Sequence, residues 1–528
     1  MASQENRLLQ MLRRYLEQNK LKDALATCQR LNRDYPHNGE GWCAASIVAC
    51  RLGNAASGLD FIARALALQP TNARFHIARA NALVLAQRRQ EAMTVTEEAV
   101  PAASSDPQLL DMAGGIYALL GNYLKAQIYY QRAVEKAPDN GIYQFNLATV
   151  KRFLGDSDGS EICFDQAIRL NPADYEACHL RSDLRTQTQD RNHIAELTEH
   201  LKACISAPAE DWRGEMKLCF SLAKEHEDLG NYEDSFRFLK RGADLRRSHM
   251  SYKVETDIQT VEDIVRTYSA PVFNNIRSGS SDKPVVFIVG LPRTGTTLVD
   301  RVISSHGQVF SAGELNNFAL EMSGLARRDS GGKLTRTALI ERTIDLDFEE
   351  LGQRYLASVK AMVDDDRCFT DKLPLNFLYC GLIHKALPKA KIIHVQRGAM
   401  DSCYAMYKRL FADAYPMSYH LLDLGRYFVA YQKLMAHWYK LMPGIIRSVS
   451  YEDLVRHQEP ASRRLIADCD LPWDKACLSF DKNPAAATTA SASQVRHPVY
   501  NSSIGKWRNY QRQLQPLQAL FTAAGIDY

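Results

Sequence analysis

The stretch GLPRTGTT, residues 290–297, follows the apolar run Val285-Val286-Phe287-Ile288-Val289 and precedes TLVDRVISSH. Gly290, Gly295 and the closing hydroxyl of Thr297 stand at the spacing of a phosphate-binding loop between a strand and a helix. Glycines let backbone wrap an anion. The amides of Arg293, Thr294, Gly295, Thr296 and Thr297 can point into the hollow, and the helix N-terminus adds partial positive charge. The lysine that serves nucleoside triphosphates in such loops is absent, and Thr296 stands in its place. Arg293 offers a fork of donors. The loop suits an anion that has no γ-phosphate.

Other cations fall where strands are expected to end. KIIHVQRG finishes at Arg397, with the hydroxyls of Ser402 and Tyr404 just beyond; RCFTDKLPLNF reaches Asp371 and Lys372. NSSIGKW, residues 501–507, brings Ser503, a glycine and Lys506 in a segment able to close over a ligand. No strand end presents a carboxylate in the setting that magnesium needs beside a triphosphate, which argues against a phosphate-loop kinase. One loop for a 5′ anion, a separate arginine and a spare lysine fit a nucleotide with phosphates at two distant positions, used without a metal. The common nucleotide of that description is 3′-phosphoadenosine 5′-phosphosulfate.

The elements that must position these groups alternate after residue 283. Expected strands Val285–Val289, Gln308–Phe310, Arg367–Thr370, Lys391–Val395 and Ile445–Val449 alternate with longer helical stretches, the pattern of a parallel sheet with crossover helices. Ligands of such sheets bind outside the carboxyl ends of the strands. The first half is different. Pro36, Pro70, Pro138 and Pro172 lie on a 34-residue grid whose odd point is Ser104. Gly53, Gln87, Gly121 and Gly155 form a second grid, and Leu31, Ala65, Ala99, Ala133 and Ala167 a third. That period is the signature of paired helices in a tetratricopeptide solenoid, with about five units here. A further helix pair, Asp228 to Arg247, lies off the grid and reads as a last repeat or cap. The expected architecture is an all-α repeat solenoid over 1–250, a junction over 251–282, and a phosphate-loop-like α/β domain with a central parallel sheet over 283–528.

The composition agrees. A chain of 528 residues exceeds a single core. Its net charge of +4 points to no nucleic-acid partner. Twelve scattered cysteines without metal spacing suit reduced thiols. The opening MASQENRLLQMLRRYLEQ has no signal-peptide core, and no apolar run is long enough to span a membrane. A cytoplasmic location is expected.

From residue 283 on, the sequence resembles adenylylsulfate-type sulfotransferases. The fused arrangement is similar to bacterial tetratricopeptide-repeat sulfotransferases, whose catalytic domain is similar to tyrosylprotein sulfotransferases. FIVGLPRTGTTLVDRVISSH, SAGEL, TDKLPLNFLYCGLI, AKIIHVQRGAMDSC, VSYEDLV and SSIGKWRNY carry the resemblance, in the family's order. It implies a 5′-phosphosulfate loop at Arg293–Thr297 and a 3′-phosphate site at Arg397. Ser402, Tyr451, Ser503 and Lys506 are the remaining nucleotide candidates, with Tyr451 and Glu452 supporting the site from behind. Glu314 in FSAGEL is the expected base for the acceptor proton. Lys372 and Arg293 are the cations for charge on the bridging oxygen. His306 is a rival base. The family's serine eight residues after the arginine is Ala405 here, with Ser402 the nearest hydroxyl. A repeat groove favours a peptide or protein acceptor, such as a tyrosine. A glycan or small alcohol fits the same chemistry, and a catalytically inactive nucleotide-binding scaffold remains the alternative.

Overall fold

The computed structural model describes residues 4–528 other than 104, 208–210, 329–333, 361, 364–366, 412, 484–493 and 497. Ser104, the odd point of the proline grid, lies outside the described residues. The chain divides into two compact units, Met1–Pro172 and Ala173–Tyr528.

The first unit is a run of five helix pairs. Their second helices end at Asp34, Leu68, Ala103, Lys136 and Leu170. Four of these ends stand two residues before the grid prolines 36, 70, 138 and 172. Leu31, Ala65, Ala99, Ala133 and Ala167 are all buried between helices. The turn inside each pair needs a left-handed residue. Gly53, Gly121 and Gly155 supply it at φ 81°, 78° and 89°, and Gln87 adopts the same conformation at φ 61°. Sequence reading missed another grid with the same period. Asn38, Asn72, Asp106, Asn140 and Asp174 each cap the helix that follows, accepting from a first-turn N–H.

The second unit is built on five parallel strands in the order β2-β3-β1-β4-β5. They are β1 Val285–Gly290, β2 Val309–Ser311, β3 Cys368–Asp371, β4 Lys391–Gln396 and β5 Ile446–Ser450. Each lies within one residue of its expected place. β1 is buried along its whole length, as a central parallel strand covered on both faces must be. The helices Trp212–Asp228 and Tyr232–Ser248 form the off-grid pair and join this unit, not the first. Phe220, Phe236 and Leu239 from them enter one core with Phe287, Phe369 and Trp438. The stretch read as a junction contains the helix Val254–Thr267, and its Val261 and Ile264 enter that core too. The expected boundary at residue 250 therefore falls inside the second unit.

All twelve cysteines are unpaired and buried. Among the described residues no helix is long and apolar enough to cross a membrane. Nor does any group of three His, Cys, Asp or Glu among them stand ready to hold a metal ion.

Candidate functional site

The strand order determines which groups meet. β1 lies between β3 and β4, so Lys372, the loop after Gly290, and Arg397 emerge side by side at the carboxyl edge. Neighbouring strands are about 4.8 Å apart, which brings residues far apart in sequence within reach of one ligand.

The loop is tightly made. Arg293 takes a left-handed φ of 66°, and Gly295 sits at φ 102°. A Cβ on Gly295 would lie 2.4 Å from Cδ2 of Tyr451, so the position requires glycine on two grounds. The Thr294 hydroxyl donates to the Leu291 carbonyl at 2.7 Å and braces the turn. The helix Thr296–Ser304 begins here, and its N-cap, Gly295, offers no side-chain acceptor to the first-turn N–H groups. Burial, and then the charges of Arg409 and Arg397, pull the Arg293 guanidinium down to about 10. A half-buried cation with other cations nearby gains from an anion.

Arg397 ties the loop to the C-terminal segment. Nη1 donates to the Arg293 carbonyl at 2.9 Å and Nη2 to the Ser503 carbonyl at 2.7 Å. Nε is buried, with no partner among the described residues. The guanidinium lies over the Tyr451 ring at 4.7 Å, and the Tyr451 hydroxyl is 2.6 Å from that of Ser503. Glu452 accepts from the Gly398 N–H at 2.9 Å. Ser402 is fully buried and donates to the Arg397 carbonyl at 3.1 Å. Lys506 reaches Glu227 at 3.2 Å, and the Asp401 carboxylate accepts from the Gly505 N–H at 2.7 Å. The nucleotide candidates thus converge around the loop, with Tyr451 and Glu452 behind them.

Glu314 and Lys372 meet directly. The Lys372 ammonium donates to Glu314 Oε1, with the lysine 1% and the glutamate 42% exposed. Backbone pairing sets this up: Ala312 N–H donates to the Thr370 carbonyl and Lys372 N–H to the Gly313 carbonyl. Asp300, on the loop's own helix, accepts from Ser311 at 2.9 Å and from Thr370. Burial raises its carboxyl, against the pull of Lys372 nearby. Asp371 also ends β3, but its carboxylate turns into the core and accepts from the Tyr355 hydroxyl at 2.9 Å.

His306 stands elsewhere. It ends the returning helix and precedes β2, at the amino edge of the sheet. Its Nε2 lies 2.8 Å from the Pro472 carbonyl, and Nδ1 accepts from the Gln308 N–H at 3.1 Å. Both nitrogens are engaged away from the loop. Sequence reading missed Tyr415. Burial, and then Glu314 nearby, raise its phenol. Tyr415 also lines a cavity of about 490 Å³ with Met322, Leu375, Tyr379 and Tyr427.

Residues 284–475 match the model of the Sulfotransferase family, and residues 107–140 and 143–174 match the Tetratricopeptide repeat. The likeness to the Sulfotransferase family thus falls on the second unit, and the likeness to the repeats lies before it in the chain. An uncharacterized protein of Aquifex aeolicus is 28% identical over 404 residues, 75% of this chain and 52% of the relative. The protein-tyrosine sulfotransferase of Drosophila melanogaster is 22% identical over 51% of this chain and 56% of the relative. Protein-tyrosine sulfotransferase 1 of Danio rerio is 23% identical over 47% and 74%. The chain spans about half the length of the first two relatives. Among solved structures, the sulfotransferase domain from the curacin biosynthetic pathway aligns at 17% identity and TM-score 0.34, over 47% of this chain and 99% of that one. Cys380 and Cys403, on helices of the second unit, are buried with thiols raised by burial.

Proposed function

We propose that this protein transfers a sulfuryl group from 3′-phosphoadenosine 5′-phosphosulfate to an acceptor hydroxyl. The observation that carries the reading is the adjacency of three strand ends: Lys372 beside Glu314, the glycine loop, and Arg397. The residues fit the donor. Arg397 keeps a buried Nε with no partner among the described residues, and Arg293 is a half-buried cation with Arg409 and Arg397 nearby. Arg293, Thr294, Gly295, Thr296 and Thr297 hold the 5′ end; Arg397, Ser503 and Lys506 hold the 3′-phosphate, with Tyr451 stacked behind and Ser402 bracing the arginine.

The donor supplies an activated sulfuryl group on a bridging oxygen. Glu314 takes the proton of the acceptor hydroxyl as the acceptor oxygen bonds to sulfur. The bond from sulfur to the bridging oxygen breaks, and 3′-phosphoadenosine 5′-phosphate leaves with that electron pair. Protonation of Glu314 weakens its hold on Lys372, whose ammonium, with Arg293, stabilises the leaving oxygen. The acceptor enters from the cavity that Tyr415 shares with Tyr379 and Tyr427. A peptide or protein tyrosine is the favoured acceptor, supported by the tyrosine sulfotransferases among the relatives and by the repeats. Calorimetry tests the nucleotide site. Arg397→Ala should weaken 3′-phosphoadenosine 5′-phosphate about 10- to 100-fold and adenosine 5′-phosphosulfate far less. Equal loss for both nucleotides rejects the assignment. Labelled sulfate moved from the donor into one class of molecule in a lysate identifies the acceptor.

A further inference from the structure

The helix Ala399–Tyr407 runs on from Arg397 within the second unit. Ser402, Ala405 and Lys408 follow each other on one face of it, three residues apart. The Ser402 hydroxyl is committed to the Arg397 carbonyl, and Ala405 has no polar side-chain atom. Lys408 is the first group on that face able to hold an anion. Its Nζ lies 2.9 Å and 3.0 Å from the two oxygens of Glu227. Lys506 approaches the same carboxylate at 3.2 Å, and the Tyr404 hydroxyl donates to it at 3.3 Å. Glu227 belongs to the helix Trp212–Asp228, outside the stretch that matches the sulfotransferase family.

The charges decide what this node can do. Two ammonium groups against one carboxylate leave one positive charge beside the loop that closes on Arg397. The next cation, Arg409, is matched by Asp183 from the same helical layer. Each ammonium has three donors, so contact with Glu227 leaves Lys408 and Lys506 donors for a further acceptor. Burial lowers the Lys408 pKa most, Glu227 opposes that, and Lys506 and Arg293 add to the lowering. Glu227 stays ionised because the two lysines outweigh the effect of its burial. The node therefore lies within electrostatic reach of Arg293.

We propose that Lys408 is a binding residue for the 3′-phosphate of the nucleotide and that Glu227 is a positioning residue which holds Lys408 and Lys506 together at that phosphate. The inference rests on the proposed nucleotide reading. On this view the chain holds its 3′-phosphate partly through a helical layer that precedes the sulfotransferase domain. A hydroxyl at 405 would stand one turn nearer Arg397 and take over part of the same contact.

The test compares 3′-phosphoadenosine 5′-phosphate with adenosine 5′-monophosphate by calorimetry, on the full chain. In Lys408→Met the first nucleotide should weaken about 10- to 100-fold while the second changes less than about twofold. Adding Ala405→Ser to Lys408→Met should restore part of the loss. Removing one member of a buried ion pair can unfold a chain, so Glu227→Gln with Lys408→Met, which removes both charges, is measured alongside. It should show the same loss of preference with a native circular dichroism spectrum. If the wild type prefers the bisphosphate and the double variant keeps that preference, the inference is wrong and the nucleotide reading stands. If the wild type shows no preference, the nucleotide reading fails and takes the inference with it.

Discussion

Glu314 and Lys372 neutralise each other across the mouth of the site, and this makes the role of each separable by substitution. Glu314→Gln keeps the shape and removes the basicity. Turnover should fall by about 10²- to 10⁴-fold with nucleotide affinity little changed, and the loss should shrink for acceptors with a more acidic hydroxyl. His306→Ala serves as the counter-test. Its nitrogens hold Pro472 and Gln308 at the far edge, so it should lower stability and leave turnover per folded molecule intact. Asp371 carries a pH signature. Burial first, against the Tyr355 hydrogen bond, raises its carboxyl from 3.8 to about 7. The folded state then binds the proton more tightly than the unfolded one. That contribution is complete below the unfolded value and is lost as pH rises through about 7. Thermal unfolding between about pH 5 and about pH 8 should show wild type losing more stability than Asp371→Asn. Parallel curves would mean that the carboxyl is ionised throughout.

Among the elements, the glycine loop and the repeat turns depend on left-handed backbone. Gly295→Ala would drive a Cβ into the Tyr451 ring on which Arg397 rests. Nucleotide binding should be lost in calorimetry while the circular dichroism spectrum stays native. Gln87 bears a side chain where three of the other repeats bear glycine and the first bears Asn19, and a left-handed non-glycine residue costs about 1–2 kcal/mol. Gln87→Gly relieves that and loosens the unfolded chain, so a net gain of about 0.5–1 kcal/mol is expected in denaturant titration. These elements were legible because their signals are local. β-branched runs placed four of the five strands, a fixed period placed the turns, and proline marked the helix ends. The loop and Arg397 could be read from what precedes them, and Glu314 from its place after a strand. Glu227 could not, because its partners Lys408 and Lys506 lie far along the chain and nothing in the helix Trp212–Asp228 distinguishes that carboxylate from a surface one. Tyr415 was hidden for the same reason: only folding places it beside Glu314.

For the molecule as a whole, the core shows where the second unit begins. Phe220, Phe236 and Leu239 are buried with the sheet's own Phe287 and Phe369, so a fragment starting at residue 283 would expose that surface to water. A fragment of 173–528 should unfold in one cooperative transition and bind nucleotide. A fragment of 283–528 should be insoluble or lack a transition, and equal stability of the two would show that the helical layer is dispensable. The reach of the second unit's contacts also has a kinetic meaning. In the repeats each helix packs on its neighbours in sequence, so the first unit needs only short loops to close. The site needs long ones: Arg397 meets Ser503 across 106 residues, and Ser235 meets the hydroxyl of Tyr510 across 275. Contacts of that span form late, because the entropy of closing the loop comes before any reward. The repeats should therefore gain protection from hydrogen exchange early in refolding. The proposed nucleotide site should be the last part of the protein to exist, so that binding competence reports completed folding.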